Sequence, residues 1–159
     1  MSFFVTSTPA PAPRIPQITQ VSLFYAGLLV IMAVTQLFTF DSFNQLIYSF
    51  NLPISLVVVS GFPAIIIASE VFALPFLLRM STSVAFRCLS MFLGWLVAGL
   101  WLFVSICIVN SYPAVNSVGF LGTVIDLVPG WWAVSLSLLF ATLAAWASWG
   151  LWPARLYKK

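Results

Sequence analysis

The chain has 159 residues, of which 62% are hydrophobic and only 6% charged, with a mean hydropathy of +1.12 and a net charge of +3. A soluble domain carries about 25% charged residues, so this composition excludes an ordinary water-solvated fold and makes lipid the main solvent. The six basic residues are scattered and form no patch or groove that would suit nucleic acid. The absence of histidine excludes a histidine-ligated haem and a histidine-dependent catalytic triad.

Residues 1–20 read as a tail. They show no cleavable signal, and Pro9, Pro11, Pro13 and Pro16 favour an extended polyproline segment, expected to be a short mobile lead. The first span, near 22–40, holds Ser22, Tyr25 and Gly27 in one half and Thr35 and Gln36 in the other. After Asp41, the pattern Ser42-x-x-Gln45 reads as a capping box. Phe43, Leu46, Ile47 and Phe50 then recur at helical spacing and predict a short amphipathic helix, lying flat at the outer interface near Tyr48. Asn51-Leu52-Pro53 turns the chain back.

The second span, near 54–78, contains Gly61, Pro63, Glu70 and Pro75. Each proline removes a backbone donor, so kinks are expected at both, and a small cavity beside Glu70 is one reading of that. Residues 79–83 predict a tight hairpin, with Ser81, Thr82 or Ser83 capping the third span, near 84–109. That span carries Gly94-x-x-x-Ala98, and the fourth, near 131–152, carries Ser137, Ala141 and Ala145. Such small residues predict close packing of these two helices. Cys88 and Cys107 lie on one span, roughly 28 Å apart along a helix, and cannot pair within the chain. Between the last two spans, Val118 to Val128 is apolar enough to rest on the helices. Trp131 and Trp132 suit one aromatic belt, and Trp149, Trp152 and Tyr157 the other.

Arg14, Arg79, Arg87, Arg155, Lys158 and Lys159 fall at ends that four spans place on one face, with Asp41 and Asp126 at the opposite ends. The positive-inside rule then puts both termini in the cytoplasm. Glu70 alone among charged residues sits well inside a span, where a carboxyl needs a partner, a proton or a wet cavity. Counted from the hairpin, Glu70 is roughly 12 Å deep and Arg87 roughly 6 Å, so the two long side chains could pair. Tyr25, Leu29, Gly94, Trp95, Thr142 and Trp146 are candidate neighbours at that depth. Glu70 is either a ligand or proton site, with Arg87, Tyr25 and Trp95 beside it, or a structural tie between spans.

The order of features resembles the DoxX/MauE group of small four-helix membrane proteins. The resemblance covers roughly 22–110. It rests on the amphipathic stretch from Phe43 to the Leu52-Pro53 turn, on Ala68-Ser69-Glu70-Val71-Phe72-Ala73-Leu74 in a proline-bearing second span, and on Arg87 heading the third. It implies a bacterial inner-membrane protein linked to a redox system, such as a subunit of a quinol oxidase. With no thiol pair in this chain, disulfide exchange is not implied.

The expected fold is all-α: a tail over 1–20, a single four-span antiparallel bundle over 21–153 with a short outer interfacial helix, and a basic tail over 154–159. The expected role is an accessory protein or subunit in the inner (plasma) membrane, with no complete catalytic set of its own. A small proton-coupled carrier using Glu70 is the alternative. No metal or resident cofactor is expected, although contact with a quinone is open. Membrane lipid and a redox partner protein, in the membrane or the periplasm, are the expected partners. Nucleic acid is not, and a homo-oligomer is left open.

Overall fold

The computed structural model describes residues 7–53, 55–111 and 115–152. These form five helices: α1 (Pro16–Phe38), α2 (Phe40–Ser49), α3 (Leu56–Leu77), α4 (Val84–Ser111) and α5 (Trp131–Gly150). Four segments are long and apolar enough to cross a membrane: Pro16–Phe38, Val58–Leu77, Val84–Asn110 and Trp131–Gly150. They pack in a closed ring, with α3 touching α1 and α4, and α5 touching α4 and α1, while α2 leans on α3. Both expected tails extend into residues outside those described, and Pro153, Arg155, Tyr157, Lys158 and Lys159 lie there.

Helix α1 starts earlier than the hydropathy predicts, because Pro16 occupies its first turn. Proline is favoured there, since its fixed φ suits the helix and its missing N–H would have had no partner. Helix α2 follows after the single residue Thr39, whose carbonyl accepts from Phe43 N at 2.8 Å. The helix therefore begins before Ser42, and the Ser42–Gln45 capping box does not start it. The amphipathic reading holds: Phe43, Ile47 and Phe50 are buried, and Tyr48 is exposed.

Helix α3 runs unbroken past Pro63 and Pro75. Near Pro75 the Ser90 hydroxyl of α4 stands inside the α3 ladder. It accepts from Phe76 N at 3.0 Å and donates to Phe72 O at 2.6 Å. Those two groups would normally bond each other, so a side chain from the next helix carries both halves of that bond. The end of α3 is a Schellman turn: Met80 N reaches Pro75 O at 2.9 Å and Arg79 N reaches Phe76 O at 3.1 Å. Arg79 sits at the left-handed position, φ 55°, where glycine is usual. Ser83 then caps α4 by accepting from Phe86 N at 3.2 Å.

The stretch before α1 is not a free lead over its described part. Thr8 forms a bridge with Thr82, and Arg14 N bonds the carbonyl of Gly150 at 3.2 Å. An extended proline-rich strand has no internal hydrogen bonds, so its carbonyls are open to donors. Arg79 and Arg87 supply those donors, reaching Pro11 O at 3.4 Å and Thr8 O at 2.8 Å. The arm thus lies across the end of the molecule that carries the 79–83 hairpin. The Arg14 guanidinium stands 4.9 Å from the Trp149 ring centre.

Of the small residues expected between α4 and α5, Ser137 lies at the contact, whereas Gly94 turns elsewhere. Gly94 faces Ala73 of α3, and a methyl group there would be 3.8 Å from it. On α5, Ala133, Ser137, Phe140, Ala144 and Ala147 are buried, whereas Ala141 and Ala145 are half-buried. Ser105 and Ser137 hydroxyls meet at 3.1 Å, and Trp95 Nε1 donates to Ser148 Oγ at 2.9 Å. Gly150 lies against Ile18 with no room for a Cβ.

Candidate functional site around Glu70

Glu70 is fully buried, in the middle of α3. One carboxyl oxygen, Oε1, accepts two hydrogen bonds, from Gln36 Nε2 of α1 and from Trp101 Nε1 of α4, both at 3.2 Å. The same Gln36 nitrogen donates to the carbonyl of Phe120 at 3.0 Å. Both atoms that Gln36 touches are acceptors, which fixes its amide with nitrogen toward them. Three helices therefore meet at one carboxyl, and Gln36 links it to the segment before α5.

Aromatic rings wrap this group. Trp101 is fully buried, with its ring 4.5 Å from that of Phe120 and 6.4 Å from that of Phe43. Phe120 also meets Phe140 edge-on at 5.8 Å. The segment that delivers Phe120 is tied to the α1–α2 corner by Thr123 N, which donates to Thr39 Oγ1 at 3.2 Å. Gly119 and Gly122 adopt positive φ, 88° and 59°. Gly119 lies close to Phe43 and Leu46, and Gly122 lies against Thr39, so side chains there would push the segment off. The expectation that the apolar 118–128 stretch rests on the helices holds for Val118 to Gly122, whereas Val124, Ile125 and Val128 are exposed.

Two buried oxygens of the group have no hydrogen-bond partner: Glu70 Oε2 and Gln36 Oε1. Both are acceptors. An unpaired buried polar atom costs about 1–3 kcal/mol, so the pair favours anything that brings a hydrogen to donate.

The four residues expected at the site are not all together. Glu70 and Arg87 do not pair. The Arg87 guanidinium bonds Thr8 O, Thr8 Oγ1 and Thr82 O, at 2.8, 3.3 and 3.1 Å. The cause is the direction of the side chains, which lean toward the N-terminus of their own helix. Helix α4 begins at the hairpin, so Arg87 leans back to it. Helix α3 ends there, so Glu70 leans away, and depth counted along the axis missed this divergence. Tyr25 is buried and donates to Gly94 O at 3.0 Å, joining α1 to α4. Trp95 turns to Ser148, with 42% of its surface exposed, so it takes no part.

Sequence reasoning missed the residues that do hold the carboxyl. Gln36 was visible as a polar side chain in an apolar helix, a feature that calls for a partner. Trp101 and Phe120 carried no signal beyond aromatic content. A cavity of about 390 Å³ opens elsewhere, lined by Ile108, Val109, Val115, Val128, Pro129, Gly130 and Trp131. Among the described residues no group of His, Cys, Asp and Glu could hold a metal ion. No protein-family model, curated protein or solved structure matches the chain.

Proposed function

We propose that the chain is a multi-pass membrane protein that serves as an accessory protein or subunit of a quinone-linked redox system, and that the Glu70 group receives a hydroxyl-bearing headgroup of quinol type. The observation that carries this reading is the pair of unpartnered acceptors, Glu70 Oε2 and Gln36 Oε1, in an aromatic setting. A quinol hydroxyl is a donor on a flat aromatic ring. It suits two oxygens that lack donors and neighbours such as Trp101 and Phe120 against which a ring can stack. The likeness to DoxX/MauE proteins leans the same way.

Membrane insertion is supported by the outward faces. In an apolar 18-residue stretch of each span only 39–44% is buried inside the protein, and the exposed faces of the spans include Phe24, Ile31, Phe72, Phe92 and Leu138. Such faces need an apolar solvent. An antiparallel arrangement is supported by the α4–α5 bonds, since Trp95 pairs with Ser148 and Ser105 with Ser137, so one number rises as the other falls. Arg14, Arg79 and Arg87 share the hairpin end, and the positive-inside rule puts that end, with both termini, on the cytoplasmic side of the inner membrane.

Tritiated short-chain quinol binding to the purified chain tests the reading. Saturable binding that drops at least tenfold in Gln36→Leu and Glu70→Leu, with unfolding still cooperative, is the expected result. Equal binding by wild type and both variants would remove quinol from consideration. A second reading, a small proton-coupled carrier, is favoured by one observation: the Glu70 carboxyl bonds α1 and α4 directly and is linked through Gln36 to the Phe120 carbonyl, so its protonation would be felt along that network. Proteoliposome uptake driven by a proton gradient and lost in Glu70→Gln would select it.

A further inference from the structure

Among the described residues, and apart from Asn44 Oδ1, the buried side-chain atoms without a hydrogen-bond partner fall into two groups of opposite kind. Those at Glu70 are acceptors. Those at the hairpin are Arg79 Nε, Thr82 Oγ1 and Arg87 Nε, and each carries a hydrogen to give. Three donors thus gather within nine residues, on a hairpin that holds two guanidinium groups.

Among the described residues no carboxylate answers the positive charge there. Arg87 is 4% exposed, and its three hydrogen bonds go to neutral acceptors, Thr8 O, Thr8 Oγ1 and Thr82 O. The Arg79 guanidinium has, among the described residues, only the long 3.4 Å bond to Pro11 O. The chain has three acidic residues, and none serves this end. Asp41 is in the first turn of α2, Glu70 is held by Gln36 and Trp101, and Asp126 lies in the segment before α5. A buried guanidinium without a counter-ion is costly, and its planar fork matches an oxoanion.

We propose that the 79–87 hairpin is a binding site for a phosphate group, supplied by an anionic lipid headgroup at this end of the molecule, with the arm carbonyls of Thr8 and Pro11 lying where phosphate oxygens bind. The site is independent of the Glu70 reading. Its lipid source rests on the proposed membrane insertion. The arm is the competitor: its neutral carbonyls give way to an oxoanion that satisfies both guanidinium groups and the Thr82 hydroxyl.

The test uses the full chain in neutral detergent, titrated with short-chain phosphatidylglycerol, short-chain phosphatidylcholine or inorganic phosphate. Binding is read by native mass spectrometry and thermal unfolding. Phosphatidylglycerol is expected to bind saturably and raise Tm by several degrees, while phosphatidylcholine does neither. Arg79→Gln and Thr82→Val should each weaken binding, the first about tenfold. Arg87→Lys should weaken it as much as Arg79→Gln, because the charge stays and the fork is lost. Arg14→Gln removes the same charge from the same end, where the guanidinium lies over Trp149, and should change affinity less than twofold. If Arg87→Lys does not fold, Arg79→Gln and Thr82→Val, at half-buried positions, decide the matter. Inorganic phosphate binding as tightly as the lipid keeps the oxoanion site and overturns the lipid source. Equal retention of the two lipids without phosphate binding, or an equal loss in Arg14→Gln and Arg79→Gln, overturns the site.

Discussion

The Glu70 group and the hairpin end solve the same problem with opposite remainders. Each buries charged or strongly polar side chains in an apolar protein. At Glu70 the helices supply two donors, from Gln36 and Trp101, and leave acceptors over. At the hairpin the arm supplies carbonyls from Thr8 and Pro11 and leaves donors over. The carboxyl and the guanidinium are thus not each other's answer, although the sequence holds few other charges. Each is tied locally, and each is left open to a ligand of the opposite hydrogen-bonding kind.

The largest effect is expected from emptying the interior site. Trp101→Ala removes a fully buried ring and one of the two donors to Glu70. It should cost about 3–5 kcal/mol in reversible detergent unfolding. A loss below about 1 kcal/mol would mean that the aromatic wrapping is not what holds the carboxyl in place.

Substitutions of the two charges should act with opposite signs. Arg87→Gln deletes bonds to Thr8 and Thr82 and should destabilise by about 1–3 kcal/mol, with the arm more open to protease. Glu70→Gln instead replaces one unpartnered acceptor, Oε2, by an NH₂ donor beside a second, Gln36 Oε1. It should leave stability unchanged or raise it by about 1 kcal/mol. Paired thermal melts check both, and a destabilisation by Glu70→Gln equal to that of Arg87→Gln would erase the contrast.

The smallest effect sharpens the hairpin side. Arg79 occupies a left-handed position, so Arg79→Gly should recover about 1 kcal/mol of backbone strain while losing the long bond to Pro11. Stability is expected to stay within about 0.5 kcal/mol of wild type, while the affinity for phosphatidylglycerol falls. Stability and anion binding moving together would show that Arg79 is there only for the fold.

Much of the fold was legible because lipid-scale hydropathy is a long, coarse signal. Four apolar runs, the amphipathic Phe43–Phe50 face and the 79–83 turn all follow from residue type and spacing. The start of α1 was not legible from proline content alone, since Pro16 can open a helix as well as block one. The site was half legible. Glu70 stood out by its depth, but its partners depend on the lean of side chains along each helix, which spacing does not express. Gln36 stands out as polar in an apolar helix, but its link to Glu70 is made across α1 and α3, which spacing within one helix does not express. Phe120 reaches the site through a segment whose course is set by Gly119 and Gly122, and only the close approaches at Phe43 and Thr39 show why glycine is needed there.

A pair of double-mutant cycles measures whether Glu70 is tied to Gln36 or to Arg87. Glu70→Leu is combined with Gln36→Leu in one cycle and with Arg87→Leu in the other, each read as unfolding free energy in detergent. The expected result is a coupling of about 1–2 kcal/mol between Glu70 and Gln36, and less than about 0.3 kcal/mol between Glu70 and Arg87. A larger coupling to Arg87 than to Gln36 would contradict the division of the molecule into an acceptor site and a donor site.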